Sequence, residues 1–134
     1  MADLPLLVLK FGSSVLRDEA SVAVAVHEIY RHVRRGIRVV AVVSAFHGVT
    51  DALTAQARAY EAQPEESAFA TLLATGEQTS AALLALALHR AGLACEVADA
   101  ARLRLLSRGG RLDAEPESVD TAALRELLSR VPVV

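Results

Sequence analysis

Two short runs constrain this chain most: LPLLVL at Leu4–Leu9 and IRVVAVV at Ile37–Val43, each leading through a glycine-bearing turn into a helical pattern. Both runs are apolar on nearly every position, so neither strand has a polar face to turn toward water. Such strands persist where helices cover both sides, which is the environment of a parallel sheet. Pro5 fits this reading because it stands near the start of its run, where a missing ladder donor does little harm.

Helical patterns fill the spaces between. From Asp18 to Arg35, Val22, Val26, Ile29 and Val33 recur at helical spacing. Asp18 and Glu19 open the segment, and Arg31, Arg34 and Arg35 precede Gly36, so both ends carry the charge that a helix dipole favours. Gly48 precedes a second helix over Val49–Ala62, closed by Pro64. Ser67–Ala91 reads as one long helix with Gly76 inside it, where glycine costs about 1 kcal/mol relative to alanine and marks close packing or a break. A short strand at Ala94–Ala98 follows. Leu103–Leu112 suggests a small hairpin turning on Gly109 and Gly110, and Thr121–Arg130 a helix with Leu124, Leu127 and Leu128 on one face. The closing VPVV reads as the start of another strand, one too short to gain much by itself.

Strands alternating with helices imply an α/β fold, a three-layer sandwich around a mainly parallel sheet with sites at the C-terminal strand ends. The 134 residues suit a single domain, with no internal repeat or low-complexity linker. A 53% hydrophobic chain with mean hydropathy +0.35 is not disordered. A net charge of −2 and a pI near 6.1 lack the basic footprint of a nucleic-acid binder. Cys95, the single cysteine, cannot form an intrachain disulfide, and the first apolar run is too short for a secretory signal and follows Asp3, so a cytoplasmic protein is expected. Ala68–Leu88 approaches membrane-spanning length, but Glu77, Gln78, Thr79 and Ser80 at its middle make it a buried helix and exclude a membrane partner.

Three segments carry candidate chemistry. In KFGSSVL, Lys10–Leu16, a strand delivers an ammonium, a glycine and two hydroxyls into the turn before a helix, a set suited to an anion: Gly12 permits close backbone approach, Ser13 and Ser14 donate, and Lys10 neutralises charge. The segment is neither a P-loop nor GxGxxG, and taken alone it is an ordinary strand-to-helix turn. Of the 14 basic residues Lys10 is the one lysine, which points to a place where a compact charge fits and a guanidinium fork does not. The second segment, SAFHGVTDAL, puts Ser44 and Thr50 at the same sheet edge as Lys10, although Thr50 or Asp51 could simply cap the next helix. His47 reads as an exposed loop residue without a role. In the third, TGEQTS, Glu77 is a carboxylate in an alanine- and leucine-rich helix that must be paired, reach solvent or meet a cationic ligand; an ion pair with one of the arginines is the plain alternative. The histidines lack metal-binding spacing, no nucleophile motif surrounds the serines, and Cys95 reads as core. The basic stretch Arg31–Arg38 is the solvated end of a helix.

Taken in order, KFGSSVL after a strand, VVSAFHGVTDAL after the next, and ATGEQTSAALLALAL in a helix, the chain resembles the N-terminal part of the aspartokinase branch of the amino-acid kinase family. The resemblance implies the N-terminal half of a carbamate-kinase-like fold, with residues 1–134 a single partial kinase domain that holds the amino-acid-substrate half and lacks the nucleotide half. It implies ATP-dependent phosphorylation of the L-aspartate side-chain carboxylate to 4-phospho-L-aspartate, the first step toward lysine, threonine and methionine. Lys10 would be catalytic; Lys10, Gly12, Ser13 and Ser14 would hold ATP with Mg²⁺; Ser44, Thr50 and Glu77 would bind L-aspartate; no residue would bind a metal directly. A homo-oligomer or fusion to further domains is compatible with this. KFGSS is a residue shorter than the KFGGTS usual in aspartokinases and is similar to glutamate 5-kinase, which keeps that activity as an alternative. The other alternative is a noncatalytic amino-acid-binding or assembly module, for instance fused to homoserine dehydrogenase.

Overall fold

The computed structural model describes residues 4–134. Strands β1 (Leu6–Phe11) and β2 (Arg38–Val43) pair in parallel, from Leu6 opposite Arg38 to Phe11 opposite Val43. Pairing along the full length of β2 carries β1 past the apolar run, so Lys10 lies within the strand. The closing segment does extend this sheet. Val39 N–H donates to the Pro132 carbonyl (2.9 Å), Val134 N–H to Val39 (3.0 Å) and Ala41 N–H to Val134 (2.8 Å), while Val133 bridges in parallel to both Val39 and Cys95. Three residues suffice because they lie between two neighbours: Val133 is 1% exposed. Cys95 is a core residue as expected, and burial pushes its thiol pKa up.

Helices α1 (Val22–Val33) and α3 (Glu66–Arg90) pack against one another and against β2. Their apolar stripes meet the sheet through Ala25, Ile29, Leu84 and Leu88, in one cluster with Phe11 and Val39. The first helix starts later than its charges suggest, because Asp18 and Ser21 form a capping box around a 3-10 turn at Glu19–Ser21: Ser21 N–H donates to Asp18 Oδ1 at 2.9 Å and Asp18 N–H to Ser21 Oγ at 3.2 Å. Helix α2 (Val49–Tyr60) lies along α3, which runs unbroken through Gly76. Neither α3 nor any other described helix is long and apolar enough to cross a membrane.

The expectation that β1 and β2 are buried on both faces holds for one of them. Residues paired across parallel strands share a face, so Leu9, Phe11, Val39, Ala41 and Val43 all turn toward the α1–α3 layer and join the core. On the other face Leu6, Val8 and Val42 are 44%, 61% and 47% exposed, because no described helix covers them sufficiently. The total surface tells the same story: a self-contained monomer of this mass exposes about 6,800 Å², whereas this chain exposes 8819 Å².

The hairpin is present but longer at its turn than the two glycines suggest. Strands β3 (Leu106–Arg108) and β4 (Glu115–Ser118) pair antiparallel, with Arg108 opposite Glu115, so residues 109–114 form the connection. Gly109 (φ 108) opens it, and Arg111 N–H donates to Glu66 Oε1 at 2.8 Å, tying the hairpin to the start of α3. Helix α4 (Thr121–Arg130), capped by Asp120, buries Leu127 and Leu128 and returns the chain to the sheet.

Candidate functional site

Two loops and one helix build the site. Beyond β1, the Gly12 carbonyl accepts from Val15 N–H (3.0 Å) and Leu16 N–H (2.9 Å), a tight turn that leaves Ser13 and Ser14 exposed and seats Leu16 in the core at 1% exposure. A Cβ on Gly12 would meet nothing within 4 Å, so the space over this backbone is open. The loop after β2 is bonded to the first: Ser44 N–H donates to the Phe11 carbonyl (3.0 Å) and His47 N–H to the Leu16 carbonyl (2.9 Å). Ala45 and Phe46 are buried, and Gly48, in the left-handed region at φ 77, turns the chain into α2.

Gly76 sets the third side. A Cβ there would stand 3.0 Å from Ala45 Cβ and 3.3 Å from Val49 Cγ1, so glycine is what lets the second loop lie against α3. What approaches Gly76 is protein, not ligand. One turn on, the buried Ser80 hydroxyl donates to the Ser44 carbonyl at 2.7 Å, with the Glu77 carbonyl 3.0 Å away. The helix is thereby fixed to the loop that carries Ser44, and Glu77 faces the same crevice.

Ser13, Ser44, Thr50 and Glu77 line one cavity of about 410 Å³, together with His47 and Asp51. Glu77 is exposed there and makes no ion pair among the described residues, so neither the buried carboxylate nor its pairing with arginine is found; docking of the second loop leaves its side of α3 open. Lys10 stands apart. It lines a different, mostly apolar groove of about 590 Å³ with Leu9, Phe11, Val15, Val24, His27 and Glu28. Gly12 and Ser14 line neither cavity. Sequence reasoning passed over Ser80, whose one signal is a hydroxyl four residues after Gly76 in an apolar helix, and it set aside His47. Among the described residues no group of three or more His, Cys, Asp or Glu side chains could hold a metal ion.

A parallel α/β layer with a polar crevice formed by the turns after its first two strands is the arrangement of a small-molecule-binding protein. The model of the amino acid kinase family matches residues 5–134, and the chain belongs to that family. It is similar to the aspartokinase of Geobacillus stearothermophilus, 29% identical over 129 residues, and to aspartokinase 2 of Bacillus subtilis, 30% identical over 129 residues, in each case across 96% of this chain and 32% of the relative. The chain thus spans about a third of the length of these relatives. Among solved structures, the aspartate kinase from Synechocystis superposes with a TM-score of 0.72 at 30% identity, covering 91% of this chain and 20% of that one. E. coli aspartokinase III, solved in complex with aspartate and ADP, superposes with a TM-score of 0.70 at 18% identity, covering 94% and 37%, and shows the shared fold. An N-terminal aspartokinase piece is therefore what the resemblance of the three segments amounts to.

Proposed function

We propose that this chain is the amino-acid-substrate half of a cytoplasmic aspartate kinase domain, which phosphorylates the side-chain carboxylate of L-aspartate at the head of lysine, threonine and methionine synthesis. One observation carries the reading: Ser13, Ser44, Thr50 and Glu77, from three separate segments, line a single polar cavity in a member of the amino acid kinase family. Glu77 receives the α-ammonium of the substrate, and the Ser44 and Thr50 hydroxyls orient the carboxylate that is to be phosphorylated. That carboxylate is already ionised at neutral pH, so the site requires no general base.

The open backbone at Gly12, the exposed hydroxyls of Ser13 and Ser14, and the ammonium of Lys10 suit the phosphate tail of ATP, which with Mg²⁺ supplies the phosphoryl group. Mg²⁺ bound with ATP would neutralise part of the phosphate charge there. The resemblance assigns the rest of the nucleotide pocket to the other half of the kinase fold, outside residues 4–134.

The test is ADP formation from ATP by the natural polypeptide that carries this chain, with L-aspartate or L-glutamate as acceptor. Aspartate-dependent turnover should fall about 10²–10³-fold in Lys10→Ala, the scale for losing one charge-stabilising donor. Absence of aspartate-dependent turnover, or a rate untouched by that substitution, overturns the proposal. A preference for glutamate would favour the glutamate-kinase reading that KFGSS supports. The placement of Lys10 in a separate groove favours the second reading, a noncatalytic amino-acid-binding module; it predicts aspartate binding with no affinity for ATP in calorimetric titration.

A further inference from the structure

Ser80 is the one fully buried polar residue among those described, at 1% exposure inside the long helix α3. A hydroxyl taken out of water at that depth needs a partner. It has two, and both belong to residues that line the cavity: Oγ donates to the Ser44 carbonyl at 2.7 Å and lies 3.0 Å from the Glu77 carbonyl. The contact with Glu77 is of the kind a helical serine makes with its own preceding turn. The bond to Ser44 is different, because it spans 36 residues of sequence and joins α3 to the turn after β2.

Ser44 is held from both sides. Its N–H donates to the Phe11 carbonyl at 3.0 Å while its carbonyl accepts from Ser80, so both peptide planes that flank it are fixed, and with them the direction in which its side chain leaves the backbone. Glu77 has its base in an unbroken helix, three residues before Ser80. Gly76 completes the joint by admitting Ala45 to 3.0 Å from the place of a Cβ. Loop and helix therefore touch at the residue after Ser44 and the residue before Glu77, and one hydroxyl ties the backbones of the two residues themselves. In the aspartate reading these two meet opposite ends of the substrate, Glu77 the α-ammonium and Ser44 the side-chain carboxylate. Aspartate and glutamate differ by one methylene between those ends. A site whose ends are tied together measures that length, and one methylene in a fitted pocket is worth about 10–200-fold.

We propose that Ser80 is a positioning residue that sets the span from Ser44 to Glu77 and so the length of amino dicarboxylate this site accepts. The inference rests on the proposed aspartate-binding role. It is tested by calorimetric titration of the natural polypeptide that carries this chain with L-aspartate and with L-glutamate. The wild type should bind aspartate at least tenfold more tightly than glutamate. Ser80→Ala should lose about fivefold in aspartate affinity, the scale of one net hydrogen bond, and little for glutamate, so that the preference narrows. Ser80→Cys, which fills the site but keeps only a weak donor, should fall between the two, and it carries the test where Ser80→Ala does not fold. A double-mutant cycle separates positioning from plain stability: once Ser44→Ala has removed the hydroxyl being positioned, the Ser80 substitution should cost no further aspartate affinity. If the wild type does not bind aspartate, the aspartate reading and this inference fall together. If it binds aspartate without preference over glutamate, or if the Ser80 variants keep the full preference or weaken both ligands alike with additive effects in the cycle, the inference alone is overturned.

Discussion

The two faces of the β1–β2 sheet carry similar side chains and have opposite fates. Toward α1 and α3, Phe11 and Val39 are 5% and 0% exposed; on the reverse side Leu6, Val8 and Val42 are 44% or more exposed. Composition cannot explain the difference, since both faces are mostly leucine and valine. What differs is the presence of a covering layer, and the contrast teaches that this chain holds one finished half-core and one apolar surface without a cover.

The contrast is sharpest at single residues. Ile29→Ala, at a fully buried position between helix and sheet, should cost about 2–5 kcal/mol of unfolding free energy. Val8→Thr keeps the β-branched shape on the open face and should stay within about 0.5 kcal/mol. Denaturant titration of both variants is the check; comparable losses would mean that the open face is covered in solution. A Val8→Thr that is damaging in a longer polypeptide carrying this chain, and neutral in residues 1–134, would show that the face is covered there.

Gly76→Val probes the second junction, between α3 and the loop of Ser44. With Ala45 already at 3.0 Å from a Cβ, overpacking should cost about 1–3 kcal/mol and weaken the proposed aspartate binding, because the loop moves with Ala45. An undiminished affinity would show that loop and helix are not coupled there. Ser80→Ala removes the hydroxyl that donates to the Ser44 carbonyl and should cost about 1 kcal/mol, read by thermal melting. The smallest effect is expected at the exposed start of α3. Ser67 and Ala68 N–H groups donate to the Glu65 carboxylate at 2.8 Å and hold its pKa below the ordinary 4.5, with Arg111 adding a lesser attraction. A pKa lowered by folding contributes stability above the ordinary value, and the contribution disappears as pH falls through the lowered one. The first turn of α3 should therefore lose amide protection below about pH 4.5, and Glu65→Gln should flatten that dependence.

Much of the fold was legible because local rules and tertiary packing agree. The apolar runs became β1 and β2, the charge-marked segment became α1 after a capped 3-10 turn, and VPVV joined the sheet. The site was legible in part. Ser13, Ser44, Thr50 and Glu77 do meet at one cavity, while Lys10 lines another. Side-chain direction at the end of a strand depends on pairing register, which the apolar pattern alone leaves open. Ser80 was missed because its partner, the Ser44 carbonyl, is 36 residues away in sequence. His47 gained its place from a backbone bond to Leu16, a contact that no periodicity signals.

Periodicity, end charges and glycine turns were sufficient to determine that this chain alternates strands and helices and which residues could bear chemistry, since those signals act over a few neighbouring residues. The covering of one sheet face alone, the glycine contact that draws α3 to the second loop, and the company Glu77 and His47 keep were decided by the tertiary structure. Each of these depends on surfaces that meet only after distant segments have docked, and the energy that selects among such dockings is spread over the whole core.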